Sequence, residues 1–579
     1  MQYRKKSYVH YSTLIGVIIL GAALRFWHLD LKPLWLDEVL TALFSLGRSY
    51  GELPLEVVFP VSKLEEIFTL KSGISCSTIA QTIAAQSTHP PLFFCLMHSW
   101  QSWLGTEQLI WVMRSLSVLM GVGAIVAIYC LSRRAFSPSA ALMAAALMAF
   151  SPFAVYLSQE ARHYTMPMLL ITLALWGLIQ IEQDLYTRRG GSKPIIWLCW
   201  AIVNSIGCYV HYFFIIAFLA QLMTLTGLMY WRRHLLPTGS WVTLSLTVIG
   251  VTVSYLPWLP VLLNDFGRAE TGWLPKPENI APLYQTLLGW LAMVIALPIE
   301  AQPLAIAVPM TLLTVAFGSW FGWCCWRGYR HLWQQSSTQL ATLTLSGFTL
   351  SVLLQFAVIV YLLGKDITIA PRYNFVYYPA VCILLGASLT LGYKQQSQVK
   401  AKETISPSPS LPLSPALLLP LSISLLSSLL VASNLVFLKP FHPQQVAQDM
   451  NLEQNIPLVV VMGYKNIQDV ALGLSFALAI DQLKSGLDDS ATRELSNTQS
   501  TAGSYFAFLP REQGYELIWQ QLSRLSALPA PPLNLWVVAP GLKRRNYPQQ
   551  LGISTQTNCT LDPTQHYRIG IPYQLYRCL

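Results

Sequence analysis

QLIWVMRSLSVLMGVGAIVAIYCLSRRAFSPSAALMAAALMAFSPFAVYLSQEARHY, residues Gln108 to Tyr164, decides the class of fold. Two apolar runs, 108–131 and 138–157, each have the roughly 20 residues a helix needs to cross a bilayer. Arg133 and Arg134 part them, and cations between two spans mark a cytoplasmic loop. Beyond the second run the chain turns abruptly polar at Ser158-Gln159-Glu160-Ala161-Arg162-His163-Tyr164.

Outward from this pair, further apolar runs lie at 11–27, 165–186, 195–212, 213–231, 241–259, 304–326, 339–363, 373–393 and 415–437. The pattern predicts a polytopic α-helical membrane protein with about eleven spans. Basic clusters recur at Arg4-Lys5-Lys6, Arg133-Arg134, Arg188-Arg189, Arg232-Arg233, Arg327 with Arg330, and Lys394 with Lys400 and Lys402. They occupy every second loop, which places the N-terminus in the cytoplasm and the C-terminus outside. Of the 579 residues 53% are hydrophobic and 11% charged, against about 25% charged in soluble proteins. The net charge of +10 is absorbed by the cytoplasmic loops, so it does not point to nucleic acid. The N-terminal run has no small-residue cleavage site after it and reads as a retained first span. The expected location is a plasma membrane of bacterial type.

Three outer segments are substantial. The first loop, 28–107, carries seven acids against four bases over 28–88, the reverse of the inner loops. The second, 260–303, holds the apolar run 283–298, expected as a helix on or dipping into the membrane. The tail has strand-like runs at 456–463, 504–510, 534–540 and 567–572, with amphipathic stretches at 466–484 and 512–526. Alternating strands and helices predict a small extracytoplasmic α/β domain. The expected division is a transmembrane module over 1–438, including the first loop and a flexible Ser/Pro-rich cytoplasmic loop within 394–414, and a soluble domain over 439–579. Most of the 10 Cys lie in apolar runs and read as small hydrophobes. Cys559 and Cys578 lie in the tail, where a disulfide is allowed if the tail is outside the cell.

Five polar groups predict to the outer face. Read as a helix, 34–48 places Asp37, Thr41, Ser45 and Arg48 on one stripe with Glu38 at its edge. An interfacial helix presenting Asp37 would follow, with further membrane-lying helices in the same loop. Two acids in a first turn also suit the helix dipole, so periodicity leaves both readings open. His89 precedes Pro90-Pro91 at the mouth of a short apolar helix, where an imidazolium would pair with a phosphate. Glu160, Arg162, His163 and Tyr164 share one turn. His211 and Tyr212 end the fifth run. Arg372 and Tyr373 sit between the ninth and tenth, and arginine holds phosphate in fork geometry at any working pH. Each group alone also suits an interfacial anchor; their convergence on one face favours an outward cavity for an anionic lipid-linked substrate.

At LWLDE (34–38), HPPL (89–92), MRSLSVLMGV (113–122), CLSRRAF (130–136), SPFAVYLSQEARHY (151–164), YVHYFF (209–214), YLPWLPVLL (255–263) and PRY (371–373) the chain resembles the GT-C superfamily of polytopic glycosyltransferases. The likeness is to the branch of protein O-mannosyltransferases and bacterial aminoarabinose transferases, in the family's order across 20–390. It implies a hexosyl- or pentosyltransferase that takes a sugar from a polyprenyl-phosphate donor and passes it, with inversion, to a protein, lipid or polysaccharide hydroxyl outside the cell. By position Asp37 is the implied catalytic base. Glu38, His89, Glu160, Arg162, Tyr164, His211, Tyr212, Arg372 and Tyr373 are the implied substrate contacts. His89 stands where some relatives have Lys, which leaves Arg162 and Arg372 as the better cations. Tyr164 and Trp273 would stack on the sugar. Some relatives need a divalent metal and others do not, and this sequence has no clean ligand set. The alternatives are a transporter or flippase of lipid-linked saccharides, for which Asn204 and Gln355 would be the mid-membrane polar groups to watch, and a membrane anchor for the tail.

Overall fold

The computed structural model describes residues 2–187, 193–237, 239–265, 267–268, 272, 274–403, 415–453, 455–491, 502–553 and 557–579. In chain order the helices are α1 (Gln2–Phe26), α2 (Leu36–Ser45), α3 (Lys63–Ile67), α4 (Cys76–Gln86), α5 (Leu92–Leu104), α6 (Leu109–Ala135), α7 (Pro138–Phe150), α8 (Pro152–Ser158), α9 (Thr165–Thr187), α10 (Pro194–Cys208) and α11 (Phe213–Trp231). There follow α12 (Ser240–Tyr255), α13 (Leu259–Asp265), α14 (Ala281–Ala292), α15 (Leu304–Gln334), α16 (Ser336–Ala357), α17 (Tyr378–Glu403), α18 (Pro415–Ala432), α19 (Pro443–Met450), α20 (Ile467–Ala491) and α21 (Tyr515–Leu522). The chain forms two compact units: Met1–Leu29 with Ser87–Phe93 and Met113–Phe437, and Asp30–Gln86 with Phe94–Val112 and Leu438–Leu579. The units therefore do not divide at residue 438. Most of the first loop groups with the tail.

In the first unit, seven helices among the described residues are long and apolar enough to cross a membrane, or eight if the bent pair α7–α8 counts as one span. Pro194–Cys208, Tyr378–Leu391 and Leu417–Ala432 are apolar but shorter. The expected count of eleven is not reached at full length, because apolar runs read from sequence include the loop residues that flank each helix. The expected pair at Arg188-Arg189 and most of the Ser/Pro-rich loop lie outside the described residues.

Two features of this unit follow from the rule that backbone polar groups away from water need partners. α7 and α8 meet at 56° around Ser151-Pro152. Proline cannot donate to the preceding turn, so the carbonyls of Met148 and Ala149 are freed there. The fully buried Arg25 of α1 donates to both at 2.8 Å. The second feature is the run expected as a helix over 283–298. α14 ends at Ala292, and Met293–Ala296 continue as buried irregular backbone. Ser151 Oγ donates to Met293 O at 2.7 Å, Ser424 Oγ to Val294 O at 2.8 Å, and Ser427 Oγ accepts the Ala296 N–H at 3.1 Å.

The second unit is built on a seven-stranded sheet of β1 (Phe59–Pro60), β2 (Leu458–Tyr464), β3 (Ser504–Pro510), β4 (Leu533–Val538), β5 (Gln550–Gly552), β6 (Asn558–Ile569) and β7 (Ile571–Cys578). The strand order is β1-β3-β2-β4-β7-β6-β5. β2 pairs parallel with β3 and β4, and α20 and α21 make the crossovers. β4, β7, β6 and β5 are antiparallel. The expected strand at 567–572 is two strand ends joined in a hairpin, because Gly570 takes a φ of +75° between β6 and β7. β1 comes from the first loop and pairs antiparallel with β3, Phe59 opposite Phe506.

Both disulfides belong to this unit. Cys559 pairs with Cys578, and Cys76 of α4 pairs with Cys95 of α5. The second bond was not read from the sequence, which singled out only the tail pair. The six free cysteines all lie in the first unit.

Candidate active site

The site residues of the first unit sit where helices end. Ser158 closes α8, and residues 159–164 turn into α9. Ser158 Oγ accepts from Arg25 Nε at 3.1 Å, and Gln159 Nε2 donates to the carbonyl of Trp27 at 2.8 Å. The C-terminal end of α1 thus holds the first two residues of the polar segment. Its last residues are held by α6: Ser117 Oγ donates to the Arg162 carbonyl at 3.1 Å, and Thr165 Oγ1 to the Ser117 carbonyl at 2.9 Å. Gly121 of α6 leaves room for this, since a Cβ there would fall 2.3 Å from Ser158 Oγ. His89 lies just before α5, His211 between α10 and α11, and Arg372 in the 3-10 turn Pro371–Val376.

Three imidazoles and two guanidiniums meet here. Ring centroids stand 4.5 Å apart for His163 and His211, 5.0 Å for His89 and His163, and 6.5 Å for His89 and His211. Arg162 Nη2 lies 3.2 Å from His89 Nε2. Arginine only donates, so Nε2 accepts and the His89 proton sits on Nδ1, which donates to Ser87 Oγ at 3.1 Å. His211 Nδ1 accepts the Phe213 N–H at 3.0 Å, so its proton sits on Nε2. His163 is fully buried, and neither ring nitrogen has a partner among the described residues. Burial, then neighbouring charge, holds all three well below the usual histidine pKa of 6.5. The Arg162 and Arg372 guanidiniums both act on each ring. Shifts in this direction favour the neutral ring over the expected imidazolium at His89 and leave the positive charge of the cluster to the two arginines.

Tyr164 is buried as part of the wall, with its ring 6.0 Å from both His211 and Phe375, and the Arg162 guanidinium 5.8 Å from it. Tyr373 lies 5.7 Å from the Arg372 guanidinium and 4.6 Å from the Phe213 ring. Glu160 is buried and accepts the Arg162 N–H on its main-chain carbonyl at 2.7 Å. Tyr212 faces another group, donating to Asp265 Oδ2 at 2.6 Å and accepting from Trp258 at 3.2 Å. Asp265 in turn pairs with Arg268 at 3.0 Å. Trp273 lies outside the described residues. His163 was read from sequence as the imidazole of the polar turn but not as a substrate contact, although all three histidines share a mark: each lies where the chain turns between helices.

Asp37 and Glu38 belong to the second unit, in the first turn of α2. Glu38 is fully buried and its carboxylate accepts the Trp35 N–H at 3.5 Å, closing the helix start. Asp37 is half-buried. The helix is shorter than 34–48, and its stripe is not an exposed polar face. Thr41 and Ser45 are fully buried, and their hydroxyls return to the carbonyls of Asp37 and Ala42 at 3.0 and 3.2 Å. α2 packs on α20 of the tail.

Among the described residues, no group of three or more His, Cys, Asp or Glu side chains could hold a metal ion. The histidine trio explains itself: His89 Nε2 and His211 Nδ1 already accept N–H bonds. Asn204 and Gln355, the mid-membrane groups, are engaged. Asn204 closes a ring with Trp200 and Gln221 through bonds of 2.7–3.0 Å, and Gln355 donates to Ile216 O at 3.1 Å.

Residues 88–258 match the family described as dolichyl-phosphate-mannose-protein mannosyltransferase. No curated protein matches the sequence. Among solved structures, ArnT from Cupriavidus metallidurans bound to undecaprenyl phosphate aligns with a TM-score of 0.53 at 11% identity, covering 97% of each chain. Its apo state aligns at 0.51 and 11% identity, covering 93% of this chain and 94% of that one. The oligosaccharyltransferase of Archaeoglobus fulgidus reaches 0.46 at 13% identity, over 82% of this chain and 63% of its own. Nearly the whole chain thus has the fold of ArnT, and residues 88–258 carry the signature of the mannosyltransferase family named above.

Proposed function

We propose that this protein moves a hexose or pentose from a polyprenyl-phosphate donor to an acceptor hydroxyl on the extracytoplasmic face, with inversion. One observation carries the reading: two arginines converge with three neutral histidines at helix ends, and four of these five residues fall within the matched 88–258. Such a cluster suits a phosphate that gains charge as it leaves, because preorganised donors stabilise developing anions. ArnT bound to undecaprenyl phosphate has the same fold, which supports a polyprenyl-phosphate partner here.

In the proposed step the acceptor oxygen bonds to the anomeric carbon on the face opposite the phosphate. The bond from that carbon to the phosphate oxygen breaks, and its electron pair leaves with the phosphate. Asp37 takes the acceptor's proton, a role supported by its match to the family motif. A general base contributes about 10²–10⁴-fold, so Asp37→Asn should lose about that much turnover. Folded Asp37→Asn protein with full transfer activity would end this assignment. Cysteine usage supports the face: disulfides form in oxidising compartments, and all four bonded cysteines lie in the second unit. The acceptor and sugar are to be read by mass spectrometry of surface glycans and lipids with and without this gene. Loss of one glycan with accumulation of its polyprenyl-phosphate sugar is expected; unchanged profiles would refute transfer.

A further inference from the structure

The tail has so far only a fold. Three contacts inside the second unit give it a task. First, α2, which carries Asp37, packs on α20. Val39 and Ala42 of α2 are fully buried, as are Ala471, Leu474 and Ala477 of α20. Second, Phe59-Pro60 is stitched onto the sheet through β3, with the Phe59 ring 6.1 Å from Phe506 and 6.2 Å from Phe508. The Glu56 N–H extends the seam to the Phe508 carbonyl at 2.9 Å. Third, Lys439, at the root of the tail, sets its ammonium 4.0 Å from the centre of the Trp35 ring. Trp35 is the residue before α2 and lies two positions from Asp37. It is 8% exposed, and an ammonium over a shielded indole is held more firmly than one in open water.

We infer that the C-terminal α/β domain is a positioning element of the transferase, which fixes the start of α2, and so the Asp37 carboxylate, through α20, the β1–β3 seam and the Lys439–Trp35 contact. Lys439 touches no reacting atom in this account; it acts through Trp35. The inference rests on Asp37 being the base proposed above. α2 has only 10 residues, too few to persist as a helix without packing. Placing its N-terminal turn therefore falls to what surrounds it.

The test uses the full-length protein in detergent or nanodiscs. Three quantities are read: hydrogen exchange of peptides covering 36–45, binding of polyprenyl phosphate, and turnover of the native polyprenyl-phosphate sugars in the source membranes. Lys439→Gln should speed exchange at the start of α2 and lower turnover by about five-fold, the equivalent of about 1 kcal/mol of cation–π contact. Polyprenyl phosphate binding should not change, and Lys439→Arg should restore both other readouts, since a guanidinium also sits well on an indole. Phe59→Ala, which acts on the other anchor, should repeat the pattern. If Lys439→Gln and Phe59→Ala both keep wild-type exchange and turnover while Asp37→Asn is inactive, the positioning role is wrong and the base assignment stands. If Asp37→Asn is active, both fall together.

Discussion

At the scale of single residues, Arg162 and Arg372 carry the charge and the histidines carry the shape. Arg372→Gln should weaken polyprenyl phosphate binding about ten- to a hundred-fold, the usual worth of a hydrogen bond to a charged group; an unchanged affinity by calorimetry would remove Arg372 from the phosphate site. The histidines make a prediction of opposite kind. Their folded pKa values lie well below 6.5. Below about pH 6.5 the unfolded chain takes up protons that the folded chain refuses, so stability falls with falling pH. The apparent Tm in detergent should drop as pH is lowered from about 6.5, and less steeply for His163→Gln; equal slopes would contradict neutral burial of His163. Arg162 and Arg372 were legible in the sequence because a cation at a span end is conspicuous. His163 was legible only as part of the polar turn, because its meaning comes from His89 and His211, which lie 74 and 48 positions away.

At the scale of elements, the α7–α8 break depends on a buried arginine in α1 and a missing side chain in α6. A methyl on Gly121 would meet Ser158 Oγ at 2.3 Å and Arg25 Nε at 3.2 Å. Gly121→Ala should cost about 1–3 kcal/mol, as overpacking does, and should also weaken polyprenyl phosphate binding by shifting Ser158–Arg162. Gly16 of α1 has open space around it, so Gly16→Ala should leave the Tm equal or raise it. Equal Tm shifts for the two variants would discount the packing argument. Neither the Ser151-Pro152 break nor its partner was read from the sequence: 138–157 reads as one span, and an Arg inside an apolar run reads equally as a span boundary. α2 shows the converse. Its periodicity was legible, and its direction was not: threonine and serine on a helix can satisfy their hydroxyls on their own backbone, so a polar stripe need not face water.

At the scale of the molecule, sequence reading recovered a membrane module and an α/β tail, and most of the first loop, read with the module, clusters with the tail. β1 is two residues long, too short for any period to show. Cys76 and Cys95 lie among apolar and small residues that hid their pairing. Each disulfide joins cysteines 19 positions apart, a loop whose closure is worth about 3 kcal/mol in the chain-entropy account. Cys76→Ser with Cys95→Ser should therefore speed hydrogen exchange across α2–α5 and leave the core of α6–α11 unchanged. Uniform loosening of both units, or none, would contradict the assignment of this bond to one compact unit.

The β1–β3 pairing also sets a timetable. Phe59 is made early, and Phe506 more than four hundred residues later. At about 5–20 residues per second, synthesis separates them by tens of seconds. For most of that interval the Asp37 helix has neither its strand seam nor α20. In our proposal, the transferase stays inactive until the α/β domain has been made and has folded, so incomplete chains cannot spend the cell's lipid-linked sugar.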